Sequence, residues 1–129
     1  MFGTLISIAI GGAFGALSRY GLGLLVSSSA VMPLWMATLG VNIIGCSLMG
    51  FMAAFLLSYP HLSDQLRPLI MIGFLGGLTT FSSFALDSFT LLDKGQFASL
   101  FFYLISSFAL SLLGFFMVYS LTKSLLGQE

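Results

Sequence analysis

Asn42 is a primary amide with two N–H donors and one acceptor, and it lies in the middle of an apolar run, Thr38-Leu39-Gly40-Val41-Asn42-Ile43-Ile44-Gly45. In hydrocarbon such a group must find partners. It serves either as interhelical glue worth about 1 kcal/mol or as a donor to something that passes. Tyr103, Ser107 and Ser111 recur at i, i+4 and i+8, which is one helical face. A hydroxyl stripe of this kind is a packing seam or a track of hydrogen-bond donors. Phe81 and Phe84 stand three apart among the hydroxyls of Thr79, Thr80, Ser82 and Ser83, a spacing that in a chain with 14 Phe also suits a core pair. Arg19 and Asp87 are charged groups within apolar stretches, and neither has a partner at i+4 spacing. Catalytic constellations are absent from the sequence. His61 sits in a polar loop, Cys46 is the single cysteine, and no nucleophile–His arrangement, metal-spaced cluster, phosphate loop or dinucleotide fingerprint occurs. Donors and aromatics with little charge fit passage of a small ion better than an enzyme.

Those residues need elements to hold them, and composition narrows the choice. Only eight of 129 residues are charged, 6%, where a soluble domain carries roughly 25%. Hydrophobic residues make up 58% and mean hydropathy is +1.10. Too few charges exist to cover a water-soluble surface, and disordered chains are poor in apolar residues. The bilayer is the remaining solvent. A helical span takes about 20 apolar residues, so the length suits four spans in one membrane unit, at about 3–28, 34–58, 67–92 and 96–121. The first is too long for a signal-peptide core and has no Lys or Arg before it. Trp35 and Tyr59 stand near the ends of the second span as interfacial anchors. Ser63 or Asp64 is suited to cap the third, with Pro68 in its first turn. A net charge of zero, with no basic tail, gives no sign of a nucleic-acid partner.

The third span is not uniform. Gly73-Phe74-Leu75-Gly76-Gly77-Leu78-Thr79-Thr80-Phe81-Ser82-Ser83-Phe84 joins paired glycines to four hydroxyls, a poor composition for continuous helix. A break is expected where Gly-Gly and Thr-Thr adjoin. Non-helical backbone at that depth must be buried by protein or line a polar cavity. Gly11/Gly15 and Gly73/Gly77 have small-xxx-small spacing and mark close helix approach. Four spans put both termini on one side, with Arg67 and Lys123, leaving Lys94 and Arg19 toward the other. Two basic residues against two leave orientation undecided, so the chain can insert both ways unless Arg19, partly inside the membrane, counts differently.

The motifs resemble those of the Fluc (CrcB) fluoride channels. Gly11-Gly12-Ala13-Phe14-Gly15-Ala16-Leu17-Ser18-Arg19-Tyr20 is similar to the family's GGxxGAxxRY, Thr38 to Gly45 to its GTxxVNxxG without the first glycine, and Gly73 to Phe84 to its GxxGGxTTFSTF. The resemblance covers three of four spans. It implies an all-α membrane protein with a broken third helix, an antiparallel dual-topology homodimer in the cell (inner) membrane, passive fluoride export through two pathways, and a structural sodium ion at the dimer centre. By similarity the pathway takes Asn42, Phe81, Phe84, Tyr103, Ser107, Thr38, Ser82 and Ser83, with Arg19 drawing anions to the vestibule. The Phe rings would offer the positive edges of their quadrupoles. The sodium would take the backbone carbonyls of Gly76 and Thr79. Ser83 stands where the family usually has Thr, and Asp87 where Glu is usual, one methylene shorter. Two other classes stay open on the residues themselves. One is a small proton-coupled exporter, against which the first span carries Arg19 and no carboxylate; the other is a non-transporting membrane scaffold.

Overall fold

The computed structural model describes residues 1–29 and 31–127, and these are helical almost throughout. Ala30, in the first link, and Gln128-Glu129, in the tail, lie outside the described residues. Helix α1 is Phe2–Ser27 and α2 is Trp35–Ser58, framed by Pro33 and Pro60. A 3-10 turn, Pro60–Leu62, leads into α3, which comprises Ser63–Leu66, a π-helical segment Arg67–Leu75, and Gly76–Leu78. After two extended residues come α4, Phe81–Asp93, and α5, Phe97–Leu125. Gly95 takes φ +68° in the turn between them, a conformation that glycine adopts without steric cost. Among the described residues, four helical stretches are long and apolar enough to cross a membrane, the third being the broken run Pro60–Asp93.

Two features of α3 differ from expectation. Neither Ser63 nor Asp64 caps it; Leu62 holds the cap position in αR geometry, with no side-chain bond. The chain enters from a 3-10 turn already wound, so few amides are left free for a cap. The π-helical segment has Pro68 in its first turn. A proline ring clashes with the carbonyl four residues back and offers no N–H, and a wider turn relieves both.

Helix α2 is the centre of the molecule. One of its faces packs Val41, Met52 and Leu56 on Leu75 and Leu78 of α3, and another packs Leu39 on Phe84 and Leu91 of α4 and Tyr103 of α5. Helix α1 meets α3 through glycine. A Cβ on Gly15 would fall on the carbonyl oxygen of Phe74 and within 2.8 Å of Leu78 N, and one on Gly77 would come within 2.6 Å of the Gly12 carbonyl. The two small-xxx-small signatures therefore pack against each other, backbone on backbone. Arg19 lies one turn beyond Gly15, and Thr79 two residues beyond Gly77, so this seam delivers the arginine to the break.

Candidate functional site

The break in the third span falls on Thr79 (φ −76°, ψ 153°) and Thr80 (φ −153°, ψ 122°), while Gly76 and Gly77 remain helical. Ending a helix in the middle of a protein leaves carbonyls and amides without intrahelical partners, and side chains meet several of them. The Thr80 N–H, which in a continuous helix would reach the Gly76 carbonyl, donates instead to Asn42 Oδ1 at 2.8 Å. Asn42 Nδ2 donates back to the Thr80 carbonyl at 3.0 Å. The Asn42 amide thus replaces a backbone partner with both of its ends. Thr80 caps α4: its hydroxyl accepts the Ser83 N–H at 3.1 Å and donates to Ser83 Oγ, also at 3.1 Å, with Ser82 Oγ 3.2 Å away. Because Thr80 takes the Ser83 N–H, the Thr79 carbonyl is freed, and Arg19 Nη1 donates to it at 3.3 Å. The Thr79 methyl fills the hollow over Gly45, one turn along α2 from Asn42.

Beside the break lies a cavity of about 280 Å³. Asn42 and Cys46 line it from α2, Thr79 and Thr80 from the break, Phe81 and Phe84 from α4, and Ser107, Phe108, Ser111 and Leu112 from α5. Hydroxyls inside a helix usually turn back to the carbonyl four residues earlier. Ser47, Ser106 and Thr122 do so, at 2.9, 2.6 and 2.7 Å. Ser107 and Ser111 do not, and both Oγ atoms are buried without a partner among the described residues. Phe84, 7% exposed, is the hub of the aromatics. Its ring centroid is 5.3 Å from that of Phe81, 5.1 Å from Tyr103 and 5.7 Å from Phe108, the last at 85°. Phe81 is 71% exposed and borders the cavity on its open side.

Five of the site residues expected from the sequence meet in this cavity: Asn42, Phe81, Phe84 and Ser107, expected on the pathway, and Thr79, expected at the sodium site. Tyr103 stands behind Phe84, fully buried, and gives its hydroxyl to Asp87 Oδ2 at 3.2 Å. Ser82 and Ser83 gather on the Thr80 hydroxyl, Arg19 holds Thr79, and Thr38 is half-buried on α2 outside the lining. Gly76 and Thr79 flank the end of α3. Sequence reasoning did not single out Thr80, Cys46, Phe108 or Leu112, and read Ser111 only as part of the stripe. Thr80 carried a signal, a threonine three residues before Ser83 at a helix restart. Cys46 stands at i+4 from Asn42 and so shares its face. Nothing distinguished Phe108 from the other phenylalanines.

A family profile described as CrcB-like protein, Camphor Resistance (CrcB), matches residues 6–119. The chain belongs to this CrcB/FluC family. Three relatives carry the name fluoride-specific ion channel FluC. That of Stutzerimonas stutzeri is 45% identical over 97 residues, 75% of this chain and 78% of its own length. That of Azotobacter vinelandii is 43% identical over 114 residues, 88% and 89% of the two chains. The protein of Pseudomonas fluorescens SBW25 is 39% identical over 123 residues, 95% and 99%. CrcB/FluC proteins are membrane channels and not enzymes. The matched stretch contains Arg19, Asn42, the Thr79-Thr80 break, Phe84 and both unpartnered serines.

Proposed function

We propose that the chain is a passive fluoride-specific ion channel that releases fluoride from the cytoplasm across the inner membrane. It acts as a single four-span unit paired with a second copy, in an antiparallel, dual-topology homodimer with two pathways. The observation that carries the reading is the pair of buried hydroxyls, Ser107 and Ser111, without partners beside the Phe84 ring. A neutral molecule would gain little from them. Fluoride is a compact, strongly hydrated acceptor, and O–H donors replace the water it sheds. Charged hydrogen-bond acceptors gain about twice as much as neutral ones.

Each residue has a part in that exchange. Asn42 spends one amide N–H on the Thr80 carbonyl and keeps the second for the cavity. Phe81 and Phe84 offer ring edges, the positive part of the aromatic quadrupole. Tyr103, with Asp87 accepting its hydroxyl proton, backs the Phe84 ring. Arg19 supplies positive charge near the break, and Thr38, Ser82 and Ser83 extend the polar surface around it. The exposed Phe81 supports a partner subunit that covers the open side.

The end of α3 suits the structural sodium that the family resemblance implies. The Gly76 carbonyl loses the Thr80 N–H to Asn42, and the Thr79 carbonyl loses the Ser83 N–H to the Thr80 hydroxyl. Both are hard oxygen donors of the kind such a cation takes. A carbonyl oxygen has two lone pairs, so Thr79 can serve Arg19 and a cation together. When bound, the ion supplies a fixed positive charge that offsets the cost of bringing anions into a low dielectric.

The test is efflux from liposomes containing only the purified protein. Fluoride should leave and chloride should stay, with no response to an imposed proton gradient and with loss of flux when sodium is absent throughout. No fluoride efflux, or equal chloride efflux, refutes the channel reading. Flux that follows the proton gradient points to a coupled exporter, and undiminished flux without sodium removes the cation from the account.

A further inference from the structure

A second cavity, of about 330 Å³, lies at the end of the molecule where α2 closes and α3 opens. Ser63 and Arg67 of α3 and Tyr119 of α5 line its polar part, and Ala53, Leu56, Leu57 and Met71 its apolar part. Tyr59, at the C-terminal cap of α2, marks the same end, and tyrosines favour the headgroup level of a membrane. Lys123 stands one turn beyond Tyr119 on α5 and adds a second cation there. Arg67 is exposed, and among the described residues its guanidinium makes no side-chain hydrogen bond, unlike that of Arg19.

We propose that this cleft binds the phosphate headgroup of an anionic phospholipid. The planar guanidinium of Arg67 matches a phosphate with two parallel N–H donors, and the Ser63 and Tyr119 hydroxyls add further donors. Met71 lies one turn deeper than Arg67, and Ala53 one turn deeper than Leu57, so the apolar wall runs on toward the membrane interior. A donor-lined rim above an apolar wall has the form of the junction between headgroup and acyl chain; free phosphate has no use for the wall. Basic pockets between membrane helices hold anionic headgroups in this way. The inference stands apart from the fluoride pathway, since neither Arg67 nor Tyr119 lines the cavity beside the break.

Native mass spectrometry of the purified full chain, with phosphatidylglycerol and phosphatidylcholine of the same acyl chains, tests it. Phosphatidylglycerol should be retained over phosphatidylcholine, and millimolar inorganic phosphate should not displace it. Arg67→Gln and Tyr119→Phe should each weaken retention, the first by about fivefold to tenfold. Lys94→Gln, at the opposite end, should match the parent, and Arg67→Lys should fall between. Fluoride efflux from each variant reports that it has folded. Equal retention of the two lipids, parent-like retention by Arg67→Gln, or displacement by inorganic phosphate overturns the proposal.

Discussion

Asn42 and Ser107 line one cavity with the same kind of group, an uncharged donor, yet they differ in what the fold asks of them. The Asn42 amide covers the N–H and the carbonyl of Thr80, and a buried group left without a partner costs about 1–3 kcal/mol. Asn42→Ala should therefore lower both thermal stability and fluoride flux. Ser107 holds up nothing among the described residues, where its hydroxyl has no partner. Ser107→Ala should leave the melting temperature unchanged or slightly raised. Flux should drop by roughly tenfold to a hundredfold, as one hydrogen bond to a charged acceptor is worth about 1.5–3 kcal/mol. Thermal denaturation followed by size-exclusion chromatography, together with fluoride-electrode efflux, separates the two effects. A Ser107→Ala channel that conducts like the parent would show that this hydroxyl does not serve the anion. Asp87, where the resemblance leads us to expect Glu, accepts the Tyr103 hydroxyl at 3.2 Å, so its carboxylate reaches the residue that backs the Phe84 ring.

At the scale of elements, the seam between α1 and α3 places the break relative to Arg19. Gly15 and Gly77 sit where any Cβ meets main chain, and main chain cannot step aside as a side-chain tip can. Gly15→Val and Gly77→Ala should destabilise by about 1–3 kcal/mol or more through overpacking, and the protein recovered from mild detergent should fall accordingly. Gly21→Ala is the control, because nothing lies within 4 Å of a Cβ there; it should behave as the parent in the same chromatographic assay. Equal recovery of all three variants would mean the seam is not load-carrying. The small-xxx-small spacing announced this seam in the sequence, as hydrophobic runs announced the helices, since both are local patterns. Which glycine pair meets which is a matter of tertiary packing and was not legible. The break was expected from Gly-Gly beside Thr-Thr, but only the threonines leave the helix. Asn42 reaches across from α2 to reward the extended form at Thr80, a partner 38 residues away in the chain. The π-helical segment was likewise unannounced, since Pro68 at a helix start is ordinarily compatible with an α-turn. The unpartnered state of Ser107 and Ser111 could not be read either; the i+4 stripe said they share a face, and only the carbonyls around them decide whether they turn back.

For the whole molecule, orientation follows from very few charges. Arg67 and Lys123 share the side of both termini, and Lys94 stands on the other. Arg19 is bound to the Thr79 carbonyl inside the helical bundle, so it contributes little as a flanking charge, and the count becomes two against one. A surplus of one is a weak instruction under the positive-inside rule, which counts Lys and Arg close to the ends of the spans. Reporters fused to the C-terminus, one active only in the cytoplasm and one only outside it, should both give signal from the parent chain. Three lysines added after Leu126 should draw that end almost wholly to the cytoplasm, and three added in the Asp93-to-Gln96 turn should do the reverse. Each biased chain alone should lose most fluoride flux, because an antiparallel pair needs one copy of each orientation. Coexpression of the two should restore it, since each then supplies the orientation the other lacks. A parent chain with a single orientation, or a biased chain that conducts fully by itself, would rule out the antiparallel arrangement. The cavity beside the break would then have to be closed at Phe81 by something other than an inverted copy.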